Sequence, residues 1–179
     1  NGIVENFNEL KSSLLKKDVH FVSETDTEVI VRLIELELLK NKSLRQAIIT
    51  VFKKLKGRNT IALLSNNDKK IYAVRNGSPL VLGIATDGIY IASDTLSFSP
   101  ATNEAVLLDD FDMVEIDGKN VSIYNIESNQ FKPVKIKKLK HQFNKIDKGN
   151  FKHFMLKEIV DQKETILFAT KYLRKELIP

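Results

Sequence analysis

The chain has 179 residues, 42% of them hydrophobic and 28% charged, with a formal net charge of +5 and no cysteine. Such a length predicts one domain with enough apolar residues for a sizeable core, and no apolar run approaches the ~20 residues that a membrane-spanning helix needs. The lack of cysteine excludes a disulfide framework, a thiolate zinc site and a cysteine nucleophile from within these residues; together with the lack of a legible secretory leader it predicts a cytoplasmic setting.

The chain opens on "NGIVENFNEL", a turn-forming Asn-Gly pair directly before a helix. Residues 6–17 read as that helix, with Asn6 as its N-cap, Glu9 at the N3 position and Phe7, Leu10 and Leu14 at helical spacing. "VHFV" (19–22) is a short strand candidate, and the polar loop "SETDTE" (23–28) leads into a helix over 27–41 with Ile30, Leu33, Ile34 and Leu38 on one side. Ser43 reads as the next N-cap, and the stripe Leu44, Ile48, Val51, Phe52, Leu55 ends at Gly57 in the C′ position.

β-rich runs follow: "TIALLS" (60–65), "KIYAVRN" (70–76), "LVLGIA" (80–85) and "GIYIASD" (88–94), separated by "NNDK", "NGSP" and "TDG" and therefore expected to form antiparallel hairpins. "EAVLLDD", "DMVEI" and "VSIYNI" continue the pattern, with "DGKN" as a further hairpin turn, and 153–173 carries Phe154, Ile159, Ile166 and Leu173 in a helical register. Helices first and strands afterwards predict an α+β fold built on antiparallel sheet. Between the last strands and the last helix, residues 132–152 hold eight Lys against the single acid Asp147. Clustered Lys can bind a polyanion, but the stretch lacks Arg and a stacking series of aromatics, so a solvated linker or edge is preferred and no nucleic-acid partner is expected.

Few residues suggest chemistry. The three His (20, 141, 153) have no metal-ligand spacing, no phosphate-cradling glycine loop or serine elbow is visible, and "DDFD" (109–112) reads as a turn between strands; no cofactor and no metal are expected. Two polar features remain. Asn1 and Gly2 offer a side-chain amide and an unencumbered backbone N–H, the neutral donors that an oxyanion hole uses. Asp26, at a helix start, can cap that helix or receive the ammonium of an amino-acid substrate.

Taken together, "NGIVENFNEL", "SETDTEV", "GSPLVLGI", "IASD" and "HFMLKEI" resemble, in order, the glutaminase domain of the glutamine–fructose-6-phosphate aminotransferase (glucosamine-6-phosphate synthase) family. The resemblance implies an N-terminal-nucleophile fold, an αββα sandwich, in which a cysteine hydrolyses the glutamine amide and the ammonia passes to a sugar-phosphate isomerase domain acting on fructose 6-phosphate. By the same resemblance Asn1 and Gly2 form the oxyanion hole, Gly2 also contacts substrate, Asp26 holds the glutamine α-ammonium, and the parent protein is a homodimer.

The family's N-terminal cysteine and its carboxylate-gripping arginine segment have no counterpart here. Residues 1–160 are therefore expected to be the later part of a glutaminase domain, its sandwich incomplete, and 161–179 the start of a linker towards an isomerase domain. Without a thiolate the chain alone is expected to release no ammonia from glutamine. Uncovered strand edges would favour self-association or a second chain that supplies strands. Two other readings fit the residues: a non-catalytic amidotransferase-like module kept for glutamine binding or subunit contacts, and a polyanion-binding domain using 132–152.

Overall fold

A computed structural model describes residues 2–40, 42–66, 68–139 and 148–177. The chain divides into two compact units, Asn1–Gln142 and Phe143–Pro179. Among the described residues of the first unit, three helices, α1 (Phe7–Leu15), α2 (Thr27–Leu38) and α3 (Leu44–Phe52), precede nine strands: β1 (Asn59–Ser65), β2 (Asp68–Asn76), β3 (Val81–Ile84), β4 (Ile89–Ala92), β5 (Glu104–Leu107), β6 (Asp112–Asp117), β7 (Asn120–Asn125), β8 (Gln130–Lys132) and β9 (Lys137–Lys138). They form two antiparallel sheets, ordered β1-β2-β6-β7-β8 and β4-β3-β5-β9. The α+β architecture agrees with the sequence expectation.

The period-2 alternation of the central strands sets the layering. On β2, Tyr72 and Val74 join Ile48, Val51 and Phe52 of α3 and Ile30 and Ile34 of α2 in one core, while Ala73 faces the opposite way. On β6, Met113 faces the helices, and Val114 and Ile116 join Leu82 of β3 and Val106 of β5 in a second core between the sheets. The result is a helical layer, a five-stranded sheet and a four-stranded sheet. Each fully buried large apolar side chain contributes about 1.5–3 kcal/mol to holding these layers together. A 3-10 turn at Thr95–Phe98 sets the Phe98 ring against β3, where a Cβ on Gly83 would lie 2.6 Å from the ring.

Local chemistry decides where several elements end. Ser43 forms a full capping box at α3: its Oγ accepts from Gln46 N at 3.3 Å and Gln46 Oε1 accepts from Ser43 N at 3.1 Å. Asn6 precedes α1 but does not cap it; its amide instead donates to Lys54 O (2.9 Å) and its Oδ1 accepts from Lys56 N (3.0 Å), tying the start of α1 to the chain after α3. Residues 19–22 are not a strand. The N–H groups of Val22 and Ser23 donate to the Glu28 carboxylate at 2.9 and 2.7 Å, and that loop clamp replaces ladder pairing. The second helix ends at Leu38, short of the expected 41, and Asn41 lies outside the described residues.

Two further expectations change. Gly57 is not the C′ residue of α3, which ends at Phe52; it lies in the connection to β1 with φ +95°. "NGSP" is not a hairpin turn, because β2 and β3 belong to different sheets and residues 77–80 carry the chain from one to the other. The acidic turn 109–112 makes the return crossing, as a connection between strands, whereas "TDG" and "DGKN" close true hairpins, β3–β4 and β6–β7. The basic stretch contributes β8's last residue and β9, strands that its lysine-rich pattern did not predict.

In the second unit, α4 (Phe154–Leu177) is a 24-residue helix whose Met155, Ile159, Ile166 and Leu167 are exposed. Among the described residues no helix is long and apolar enough to cross a membrane.

Candidate active site

Gly2 begins an extended segment laid along the start of β1. It bridges Asn59 in antiparallel sense, and Glu5 N donates to Lys56 O at 3.1 Å in the same register. Hydrogen-bonded and non-hydrogen-bonded pairs alternate along such a register. Glu5–Lys56 is a bonded pair, so Val4 stands at a position whose N–H points away from β1. Only glycine fits at residue 2: φ is +94°, and a Cβ would lie 1.8 Å from Arg58 O. Gly57 opposes Val4 with φ +95°, and a Cβ there would meet Ile3 O at 2.8 Å. Two glycines thus let two backbones approach where side chains would hold them apart.

Asp26 reaches this segment from the start of α2. Its side chain does not cap the helix; Oδ2 accepts from Val4 N at 2.8 Å across a sequence separation of 22. The capping alternative is therefore set aside by a longer-range bond. The half-buried Asp26 carboxylate is thereby tied to the segment that Gly2 begins, two residues along from Gly2 itself. Asp26 and Gly2 thus belong to one segment's surroundings without a direct bond between them, while Asn1 lies outside the described residues.

An open cleft of about 480 Å³ adjoins Gly2, walled by Arg58, Gly77, Ser78, Pro79, Glu5 and Ile3. Gly77 has φ +73° and a Cβ there would lie 2.7 Å from Arg58 Nε, so Arg58 lies flat on this bend and donates from Nη2 to Gly77 O at 2.9 Å. Sequence reading missed Arg58 and the 77–79 bend as part of the site. The signal available was the pair of glycines at 57 and 77, which were absorbed by a helix C′ reading and a hairpin reading respectively.

The other titratable clusters brace the scaffold. Glu37, 3% exposed, accepts from Lys42, Lys54 and Lys40 at 2.5, 2.9 and 3.1 Å, and these bonds hold its carboxyl down to about 2. Glu28 is likewise held at about 2, chiefly by the Ser23 hydroxyl and then by Val22 N–H. Asp112, buried at the start of β6, accepts from Lys132 (2.8 Å) and Asn125 (2.9 Å). Burial opposes the charge on Lys132, yet Asp109 and Asp112 hold it above the usual lysine range. Burial also disfavours the Glu115 carboxylate, but bonds from Lys70 and Arg45 outweigh it and the carboxyl titrates below its ordinary value. Among the described lysines of the basic stretch, Lys132 is in ion pairs with Asp109 and Asp112, and Lys138 with Glu104 at 3.9 Å. His141 falls outside the described residues; among the described residues no cluster of three or more His, Asp or Glu is arranged to hold a metal ion.

A family model described as a glutamine amidotransferase domain matches residues 1–99, the stretch that contains Gly2, Asp26 and the Arg58–Gly77 wall. The chain belongs to the glutamine amidotransferase domain family. The glutamine–fructose-6-phosphate aminotransferase (isomerizing) of Francisella tularensis is 38% identical over 167 residues, covering 93% of this chain and 27% of that protein. The enzyme of the same name from Methanocaldococcus jannaschii is 37% identical over 187 residues, covering 99% of this chain and 17% of its own. This amidotransferase chain therefore spans about a quarter or less of the length of these relatives. A solved glutamine phosphoribosylpyrophosphate amidotransferase from B. subtilis superposes with a TM-score of 0.61 at 22% identity, covering 70% of this chain and 28% of that one. That likeness shows the fold alone, an α+β sandwich of antiparallel sheets with a helical layer.

Proposed function

We propose that this amidotransferase chain supplies the oxyanion-hole and ammonium-binding side of a glutaminase site in a glutamine–fructose-6-phosphate aminotransferase. In this reading the Gly2 N–H and the Asn1 side-chain amide donate to the oxyanion that forms when the glutamine amide is attacked, and the Asp26 carboxylate receives the α-ammonium. Residues 1–160 are then part of the glutaminase domain and 161–179 the start of a connection to an isomerase domain that consumes the ammonia on fructose 6-phosphate. The parent is a cytoplasmic homodimer. The observation that supports the reading is the bond from Val4 N to Asp26 Oδ2, which ties the Asp26 carboxylate to the segment that Gly2 begins.

The chemistry suits these groups. Attack on an amide creates a tetrahedral oxyanion, and removing one donor from such a hole typically costs about 2.7–4 kcal/mol. A carboxylate aimed at an ammonium supplies a selectivity for amino acids that apolar contacts cannot match. The thiolate that must attack is not among these 179 residues, since the chain has no cysteine.

Calorimetry with glutamine tests the reading. Saturable heat that is lost in Asp26→Ala and kept in Glu24→Ala is expected. Absent heat at millimolar glutamine, or equal heat in both variants, would contradict it. The chain alone should also release no ammonia from glutamine above a buffer blank.

A further inference from the structure

Two of the connections that cross between the sheets, 77–80 and 108–111, lie at the same end of the sandwich and are joined there. Phe111 N donates to Arg75 O at 2.7 Å, Arg75 Nη1 donates to Leu108 O, and Asp110 Oδ1 accepts from Gly77 N at 2.8 Å. That last bond stands at the head of a chain of contacts. Gly77 O accepts from Arg58 Nη2 at 2.9 Å, with no room for a Cβ between Gly77 and the Arg58 side chain, and Arg58 O lies directly against Gly2. Each step is a hydrogen bond or a contact that glycine alone permits, so there is little slack to absorb a shift.

We propose that Asp110, from the turn that sequence reading assigned only to connection, is a positioning residue for the Gly2 backbone. It fixes the 77–79 bend, the bend fixes Arg58, and the Arg58 carbonyl sets how Gly2 lies along β1. This rests on the reading of Gly2 as an oxyanion donor, because only then does the direction of its N–H matter to the reaction. The role at Gly77 needs an acceptor oxygen at Asp110; the same Oδ1 also pairs with Arg75 Nε at 3.3 Å, a contact kept in part by any residue that retains that oxygen. A second brace keeps the bend attached when Asp110 is altered: Thr60 Oγ1 donates to Ser78 O at 2.8 Å. Loss of the Asp110 acceptor should therefore displace the bend and leave the sandwich folded.

The chain has seven glycines, so a ¹⁵N-glycine-labelled sample gives a spectrum in which each amide can be followed. Asp110→Ala is expected to shift the Gly77 amide through the lost bond and the Gly2 amide through Arg58, leaving Gly118 and Gly149 in place. Asp110→Asn keeps an oxygen that can accept from Gly77 N, and is expected to return Gly2 to its wild-type position. A Gly2 amide that stays in place in Asp110→Ala while Gly77 moves would overturn the proposal. So would a shift of Gly2 that Asp110→Asn fails to reverse. The experiment contains no glutamine, so its failure leaves the role of Gly2 standing, and a failed glutamine titration leaves the contact chain standing.

Discussion

The helix-facing core and the Gly2 end of the sandwich are held by opposite kinds of interaction. Between the helices and the five-stranded sheet, many interchangeable apolar side chains share the load: Ile48, Val51 and Phe52 of α3 meet Tyr72, Val74 and Met113. At the Gly2 end, single atoms matter, with one N–H on Asp26, one missing Cβ at Gly2 and one carbonyl on Arg58. A redundant core tolerates change at graded cost. A set of single contacts fails locally while the fold persists, which lets the Gly2 end be exact without being the source of stability.

The sharpest contrast comes from the core. Phe52→Ala should destabilise the chain by about 3–5 kcal/mol in urea unfolding, the range for deleting a buried phenylalanine. A loss under about 1 kcal/mol would mean that α3 is not seated on the sheet as described. Next, Lys132→Met leaves the buried Asp112 carboxylate without its cation. Because Lys132 is itself 33% exposed, the expected cost is about 2 kcal/mol, below that of a fully buried pair.

Acidity probes the charged braces. Glu37 and Glu28 titrate near 2 in the folded chain, below their ordinary value. A folded pKa below the unfolded one means that their stabilisation is fully present above the unfolded value and is lost as pH falls through the folded one. Thermal midpoints should therefore drop between about pH 4.5 and pH 2, and Glu37→Gln should flatten that drop. An equally steep profile in the variant would remove Glu37 from the account. Ser43→Ala, which breaks the capping box, should cost only about 1 kcal/mol. Smallest in global stability is Gly2→Ala, whose expected signature is local: exchange of the Glu5 amide, bonded to Lys56 O, should quicken about tenfold or more while core amides keep their protection.

Much of the fold was legible because alternation and capping are local signals. The strands at 60–65, 70–76 and 112–117 and the Ser43 cap follow from their own residues. The failures share one cause, a polar group whose partner is remote in sequence. Residues 19–22 look like a strand until Leu14 O takes the Val19 N–H and Glu28 takes that of Val22, and Asn6 looks like a cap until residues 54–56 claim its amide. The site was half legible. Asn-Gly and "SETDTEV" flagged Gly2 and Asp26, but nothing local says that Asp26 meets Val4, or that Arg58 and Asp110 converge on the 77–79 bend. Those contacts exist only once two crossovers share one end of the sandwich.

The central claim is that the Gly2 N–H and the Asp26 carboxylate face one bound glutamine. The most direct test follows the Gly2 amide of ¹⁵N-glycine-labelled chain during glutamine titration. A saturable shift of Gly2, absent in Asp26→Ala and with Gly118 unmoved, is the predicted result. A Gly2 resonance that stays fixed at millimolar glutamine, or moves equally in Asp26→Ala, would contradict the claim.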